Sequence, residues 1–392
     1  MIEESICAAP ECEESFQKSV HNQLYCSSSC KRDAENARRR RDLARDVAAA
    51  IAPSYGFDVD VDEDEQLEFL RTENRRLQNL YIKHKLNSNE QVNAIYQAAF
   101  DAFSGLALSP VKPPKLTKTS AEEEVANPVI ADWQVGKKTL SYNSDVCAER
   151  IGVFGDKIER ITNIQRSDHP VRRAHVYALG DMVEGEDIFP GQAFEIDSSL
   201  YRQVVTGVEI TTDFLRRMLS LFETVHFAGV IGNHGLLSSK GRGKYNPETN
   251  MDRLMYKFIS MLFADEPRIT FDIPDGSGES NFYTVDYIGD YGTLLMHGDQ
   301  LGQPTSAHSY YKKVLGWKDT GVPERFDDVF IGHWHQNTKL TLGTTVLRIA
   351  GTPESDNTYA QERLGVMGRP SQHLQFVHPD RGVTAEYDVY LD

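Results

Sequence analysis

What the sequence lacks narrows it first. It contains no run of about 18 consecutive apolar residues, so no transmembrane helix is expected. The opening residues, Met1-Ile2-Glu3-Glu4-Ser5, lack the basic and apolar regions of a secretory signal, which makes a cytoplasmic protein the expectation. No internal repeat is visible. Positive charge is in deficit: 42 Lys and Arg against 58 Asp and Glu give a formal net charge of −16. That balance excludes a chain that coats nucleic acid along its whole surface, while leaving room for a local basic patch. Beyond residue 30 cysteine is nearly absent, and Cys147 reads as a packing residue in a helix.

What is present describes an ordinary soluble protein, with 40% hydrophobic and 26% charged residues. At 392 residues the chain is long for one domain, and two or three units are expected.

Four cysteines fall within residues 7 to 30. Cys7 and Cys12 are separated by four residues, Cys26 and Cys30 by three, with 13 between the pairs. This is zinc-ligand spacing in a segment too small to fold on an apolar core, so the metal would supply the folding energy. Two disulfides are the alternative, disfavoured by a cytoplasmic location. Tyr25 to Arg32 resembles treble-clef-like fingers, in which the second knuckle opens a helix. That helix is expected from Ser29 to Ala52, before Pro53, and carries Lys31, Arg32, Arg38, Arg39, Arg40, Arg41 and Arg45. Two readings of it stand: contact with nucleic-acid phosphates, or a solvated face in which Asp33, Glu35 and Asp42 are interspersed. A finger-like unit is assigned to residues 1–52.

An acidic linker (53–64) precedes a helical or coiled-coil segment, 65–105. Leu70, Asn74, Leu77 and Tyr81 form a seam compatible with a homodimer, Asn74 fixing the register. A helical hairpin with residues 89–104 competes, and there Val92, Ile95, Tyr96, Ala99, Phe100 and Phe103 make an apolar packing stripe. Residues 106–127, with Pro110, Pro113 and Pro114, read as a linker, and the catalytic domain is assigned to 128–392.

In that domain strand-like and helical runs alternate. Residues 145–165, 198–220 and 250–264 look helical; 282–287, 291–296, 343–349 and 383–390 look extended. A layered α/β sandwich is expected rather than a barrel. Five apolar runs end on metal-competent side chains. Val129-Ile130-Ala131 leads to Asp132-Trp133-Gln134, and His175 to Leu179 leads to Gly180-Asp181-Met182-Val183-Glu184. Val225 to Ile231 leads to Gly232-Asn233-His234-Gly235, Thr293 to Met296 leads to His297-Gly298-Asp299, and Asp328 to Ile331 leads to Gly332-His333-Trp334-His335. Ligands gather beyond the carboxyl ends of strands in α/β sheets, so the five endings are expected to share one cavity.

In order and spacing these five motifs resemble those of the calcineurin-like metallophosphoesterases, over roughly residues 128–355. The resemblance implies a four-layer α/β/β/α sandwich with two divalent metals at the sheet edge. It further implies that Asp132 and His335 hold the first metal, Asp181 bridges, and Asn233, His297 and His333 hold the second. His234 would serve as general acid or as a stabiliser of phosphoryl charge. Two residues depart from the family pattern. Gln134 stands where His is usual, as a weak amide ligand or none, and Gly235 replaces the acidic residue after Asn-His.

Two cations about 3.5–4 Å apart neutralise phosphate charge, acidify a bridging water and template in-line displacement. The donor set suits Mn, Fe, Zn or Ni, and Mn is taken as the working choice. A nuclease or phosphodiesterase acting on nucleic acid, DNA before RNA, is the leading expectation. It draws on the finger, on the basic helix, and on Lys240, Arg242 and Lys244 in the loop after His234, which clamps a phosphate backbone or is simply a mobile surface loop. Phe189, Trp133 and Trp334 are candidates for stacking a base. The alternatives are a phosphatase or phosphodiesterase for small molecules or phosphoproteins, and a non-catalytic adaptor with a degenerate site. The order of finger, coil and phosphoesterase also resembles phage proteins.

Overall fold

A computed structural model describes residues 4–9, 12, 15–17, 23–28, 30–32, 34, 93–101, 103, 106, 108–116, 122–189, 191–237, 249–273, 282–301, 307–357 and 368–392. Most of the basic helix, the seam residues Leu70, Asn74, Leu77 and Tyr81, and Lys240, Arg242 and Lys244 lie outside these residues. The chain divides into two units, Met1–Asn87 and Ser88–Asp392.

In the first unit, strands β1 (Glu4–Ile6) and β2 (Ser15–Gln17) pair antiparallel and set Cys7 and Cys12 at the hairpin end. Residues 28 and 30–32 are helical, so the second cysteine pair does open a helix.

In the second unit six strands lie side by side. They are β3 (Glu124–Ile130), β4 (Val171–Ala178), β5 (Thr224–Gly229), β6 (Ile269–Asp272), β12 (Ser371–His378) and β13 (Gly382–Tyr390), in the order β13-β12-β3-β4-β5-β6. The four from β3 to β6 are parallel; β12 runs antiparallel to β3. A second sheet orders β10 (Thr338–Leu342), β11 (Thr345–Ile349), β9 (Asp328–Ile331), β8 (Tyr291–Met296) and β7 (Tyr283–Ile288). Its β8, β9 and β11 are parallel.

Alternation of side chains along the strands decides the layering. Val129, Tyr177 and Ala228 meet Leu295 and Phe330 between the sheets. Their neighbours Ile130, Val176 and Phe227 face the other way, onto α1 (Ser144–Gln165), α2 (Leu200–Leu221) and α3 (Met251–Leu262). Leu294, Met296, Val329 and Ile331 face away from the first sheet and are covered by Val314 of α4 (Ala307–Gly316) and by Trp317. The order is helices, sheet, sheet, helix. Asn143 caps α1 by accepting the Val146 N–H at 2.9 Å, and Asn250 caps α3 through Asp252 N at 2.9 Å.

Residues 93–101 are helical, and their stripe packs inside this unit. Ala99 and Phe103 are buried, with the rings of Tyr96 and Phe103 5.5 and 5.7 Å from that of Phe258 on α3. In this part of the expected coiled-coil segment the apolar surface is therefore covered by the chain's own core. The expected linker is likewise held down. Leu108 and Val111 pack on the core, and Arg268 donates to Val111 O at 2.8 Å. Strand β3 begins at Glu124, earlier than the apolar run suggested, because Asn127 and Pro128 interrupt its apolar pattern.

Candidate metal centre

Strand register brings the motif ends to one edge. Ile130 pairs with Ala178 and Ala178 with Gly229, while Met296 pairs with Ile331 and Ile331 with Ile349. The residues that follow must turn sharply. Asp132, Gln134, Asp181, His333 and His335 all adopt positive φ, between 43° and 68°; among the described non-glycine residues only Asp356 joins them. Such conformations are uncommon for residues with a Cβ and persist where surrounding contacts impose them. Gly180 (φ 83°) has to be glycine as well, since a Cβ there would strike the backbone of Gly232.

The structure brings Asp181, His297 and His333 together, with ligand atoms within 4.8 Å of one another. His297 Nδ1 donates to Leu179 O at 2.7 Å, which leaves Nε2 facing Asp181 Oδ2 at 3.0 Å, Asn233 Oδ1 at 3.1 Å and His333 Nδ1 at 3.2 Å. Four acceptors converge there, and only a proton or a cation reconciles them. Burial opposes charge on His297, but Asp181 outweighs it and raises the imidazole to about 10. Beside it His333 is pushed down to about 3 by burial and by the His297 charge. Burial raises the Asp181 carboxyl, yet His297 and His234 hold it far below the ordinary range. This donor set fits a divalent cation bound by Asp181, Asn233, His297 and His333.

A second cradle adjoins it. Both Asp132 oxygens accept the His333 backbone N–H at 3.0 Å, and Oδ1 lies 3.6 Å from His335 Nε2. Gln134 Nε2 is 3.3 Å from that same ring nitrogen. Asp132, Gln134 and His335 thus converge beside the Asp181 cluster.

His234 stands beside the ligands. Its N–H donates to Asp181 Oδ1 at 2.7 Å, and its Nδ1 meets Glu184 O at 2.8 Å and Glu184 Oε2 at 3.2 Å. Against burial, Asp181 and Glu184 raise the imidazole to about 9. A cation on Asp181 would offset part of that pull and would leave Glu184 as the partner that keeps the proton. Glu184 thus does what Gly235 cannot. It is itself held by Lys137 Nζ at 3.4 Å, and Lys137 also reaches Glu195 at 3.1 Å and lies over the Phe189 ring.

Several of these contacts escaped the sequence reading: Lys137, Asp252 and Glu354 have no spacing that marks them. Asp252 lies under Asp181, and Glu354 meets His335 Nδ1 at 3.1 Å. The stacking candidates separate. Trp133 is wholly buried, its Nε1 donating to Gln372 Oε1 at 3.2 Å, and Trp334 packs on the outer cluster of the second sheet. Trp133 is a packing residue, whereas Trp334 and Phe189 both lie near the site, their rings 5.0 Å from that of His333 and 6.2 Å from that of His234.

In the first unit the four thiols converge as the spacing implied. Cys26 Sγ is 3.4 Å from Cys30 Sγ and 3.7 Å from Cys12 Sγ, and Cys26 N donates to Cys7 Sγ at 3.4 Å. No disulfide forms. The Cys30 contact and burial push the Cys26 thiol far up, because thiols this close cannot all ionise without a cation. The cluster fits one zinc ion.

The sequence matches no protein-family profile and none of the curated proteins. Three solved structures align with about two thirds of the chain. Zinc-bound Vps29 of Entamoeba histolytica is 14% identical over 67% of this chain and 98% of its own, with a TM-score of 0.30. A hypothetical protein of Pyrococcus horikoshii is 11% identical over 68% and 89%, with a TM-score of 0.35. A protein described as a novel archaeal phosphodiesterase is 10% identical over 68% and 99%, with a TM-score of 0.31. At these scores the site's own atoms, not the likeness, carry its chemistry. Among the described residues no helix is long and apolar enough to cross a membrane.

Proposed function

We propose that the chain is a dimetal phosphoesterase that cleaves phosphodiesters, with nucleic acid as its substrate. One observation carries this: donors that follow five strands, β3, β4 and β5 of one sheet and β8 and β9 of the other, come together, in an order that resembles the calcineurin-like phosphoesterases. Asp132, Gln134, His335 and Asp181 would hold one cation, and Asp181, Asn233, His297 and His333 the other. When bound, the two cations would supply charge neutralisation at the phosphoryl oxygens and acidify a water for attack. Asp181 would supply negative charge to balance them. His234 keeps its Nδ1–H on Glu184, so its Nε2–H is free to protonate the departing oxygen.

Nucleic acid is proposed because the four-cysteine cluster precedes a run of arginines, and because Phe189, beside His234, offers an aromatic surface at the site. A second reading, a protein that binds phosphate without turnover, draws on Gln134 alone. Hydrolysis of bis-p-nitrophenyl phosphate against p-nitrophenyl phosphate in Mn, with Asp181→Asn as control, separates the possibilities. Diester turnover lost in the variant supports the proposal. Monoester preference makes it a phosphatase, and no turnover with either favours the binding protein.

A further inference from the structure

The sequence motifs leave His335 without an obvious orienting partner, and the structure supplies one. Strand β11 runs parallel to β9, so the turn after it, Gly351-Thr352-Pro353-Glu354, emerges at the same edge as His333 and His335. Thr352 Oγ1 donates to Asp132 O at 2.7 Å and accepts the Glu354 N–H at 3.0 Å, which latches this turn to a proposed ligand residue. Glu354 is 2% exposed. Its Oε2 lies 3.1 Å from His335 Nδ1 and accepts Asn357 Nδ2 at 3.0 Å, while Oε1 has no hydrogen-bond partner among the described residues. A buried carboxylate with one unsatisfied oxygen is costly unless positive charge lies close by.

We propose that Glu354 is a positioning residue for the first metal, holding His335 so that Nε2 is the ligand atom. This rests on the dimetal reading above. The ring stands between two carboxylates, with Asp132 Oδ1 on the Nε2 side and Glu354 on the Nδ1 side. A metal on Nε2 requires the proton on Nδ1, and Glu354 Oε2 is placed to accept it. A carboxylate there also makes Nε2 a stronger donor, which offsets the weak amide of Gln134 in the same cradle. Outer partners of this kind typically change metal affinity by about 10–100-fold.

The test is calorimetric titration of the metal-free full-length protein with Mn(II), an ion that the thiolate cluster does not favour. The wild-type protein is expected to take up two ions at the phosphoesterase site. Glu354→Ala should weaken one of them by about 10–100-fold and leave the other unchanged. Glu354→Gln, which still accepts the Nδ1 hydrogen, should fall between the two. Two ions bound at wild-type affinity by Glu354→Ala would overturn the inference while leaving the dimetal reading standing. Equal weakening of both ions would also overturn it, since that marks a general structural role. A wild-type protein that takes up no Mn(II) overturns both.

Discussion

Asp252 Oδ2 accepts the backbone N–H of Asp181 and that of Gly232, each at 2.9 Å, and Oδ1 takes Met182 N at 3.1 Å. One wholly buried carboxylate in the first turn of α3 therefore fixes the turns after both β4 and β5. Burial and the nearby Asp181 charge raise it to about 6, against the pull of these N–H groups. Asp252→Ala leaves three buried donors unsatisfied and should cost about 3 kcal/mol. Urea unfolding checks this; an unchanged midpoint would remove Asp252 from the account.

His234→Ala should lower diester turnover by roughly 100-fold while both Mn ions stay bound. Against burial, Asp181 and Glu184 together raise His234 to about 9 without metal; with cations on Asp181 the Glu184 part remains, so turnover should decline as the pH rises through a His234 titration that lies below that value. Glu184→Gln removes the charge that holds the proton and should move this decline to lower pH. A pH–rate profile unaffected by the substitution would show that Glu184 does not govern the acid.

At the opposite end of the sandwich, Asp286 of β7 meets His175 Nδ1 at 2.6 Å, His226 Nε2 at 3.3 Å and the Tyr177 hydroxyl at 2.8 Å, with Asp272 nearby. Burial holds His226 below the usual imidazole value of 6.5 despite the pull of Asp286. For Asp286, burial is outweighed by His175 and His226, which hold the carboxyl below 3.8. In both cases the unfolded chain takes up protons at higher pH than the folded one. The contribution is thus complete above about 6.5, and falls on acidification first through His226, then through Asp286. In thermal unfolding, Asp286→Asn should lose the acid limb below about 3.8 while the His226 limb below 6.5 deepens, since the carboxylate that raises His226 is gone; curves parallel to the wild type would rule the cluster out as the cause.

Cys26→Ser should abolish zinc binding by the first unit and leave hydrolysis of a small diester intact, because the cysteines and the phosphoesterase residues lie in different units, Met1–Asn87 and Ser88–Asp392. Zinc content and bis-p-nitrophenyl phosphate turnover, measured on the same preparation, check both halves. Loss of turnover would show that the units depend on each other.

Helices and strands with clear apolar periods were legible in the sequence. Those expected at 145–165, 198–220 and 250–264 appear as Ser144–Gln165, Leu200–Leu221 and Met251–Leu262. Strand β12 was not, although it lies inside its sheet between β13 and β3. All eight of its residues are buried, yet Ser371, Gln372, His373, Gln375 and His378 are polar. Gln372 satisfies itself on Ala131 O and Gly351 O, and Gln375 on Asn127 Oδ1. A strand satisfied by side-chain hydrogen bonds carries no hydrophobic alternation to read.

The sequence by itself determined which side chains meet at the sheet edge, because a strand end followed by a sharp turn places its next residues whatever lies farther off. Asp132, Asp181, Asn233, His297, His333 and His335 all lie in those five endings, and the family resemblance picked them out there. Only the tertiary structure decided what stands behind them. Glu184 on His234, Asp252 under Asp181 and Glu354 on His335 act across 50, 71 and 19 positions respectively. A hydrogen bond of that kind depends on how layers pack and not on spacing along the chain, so no local pattern records it.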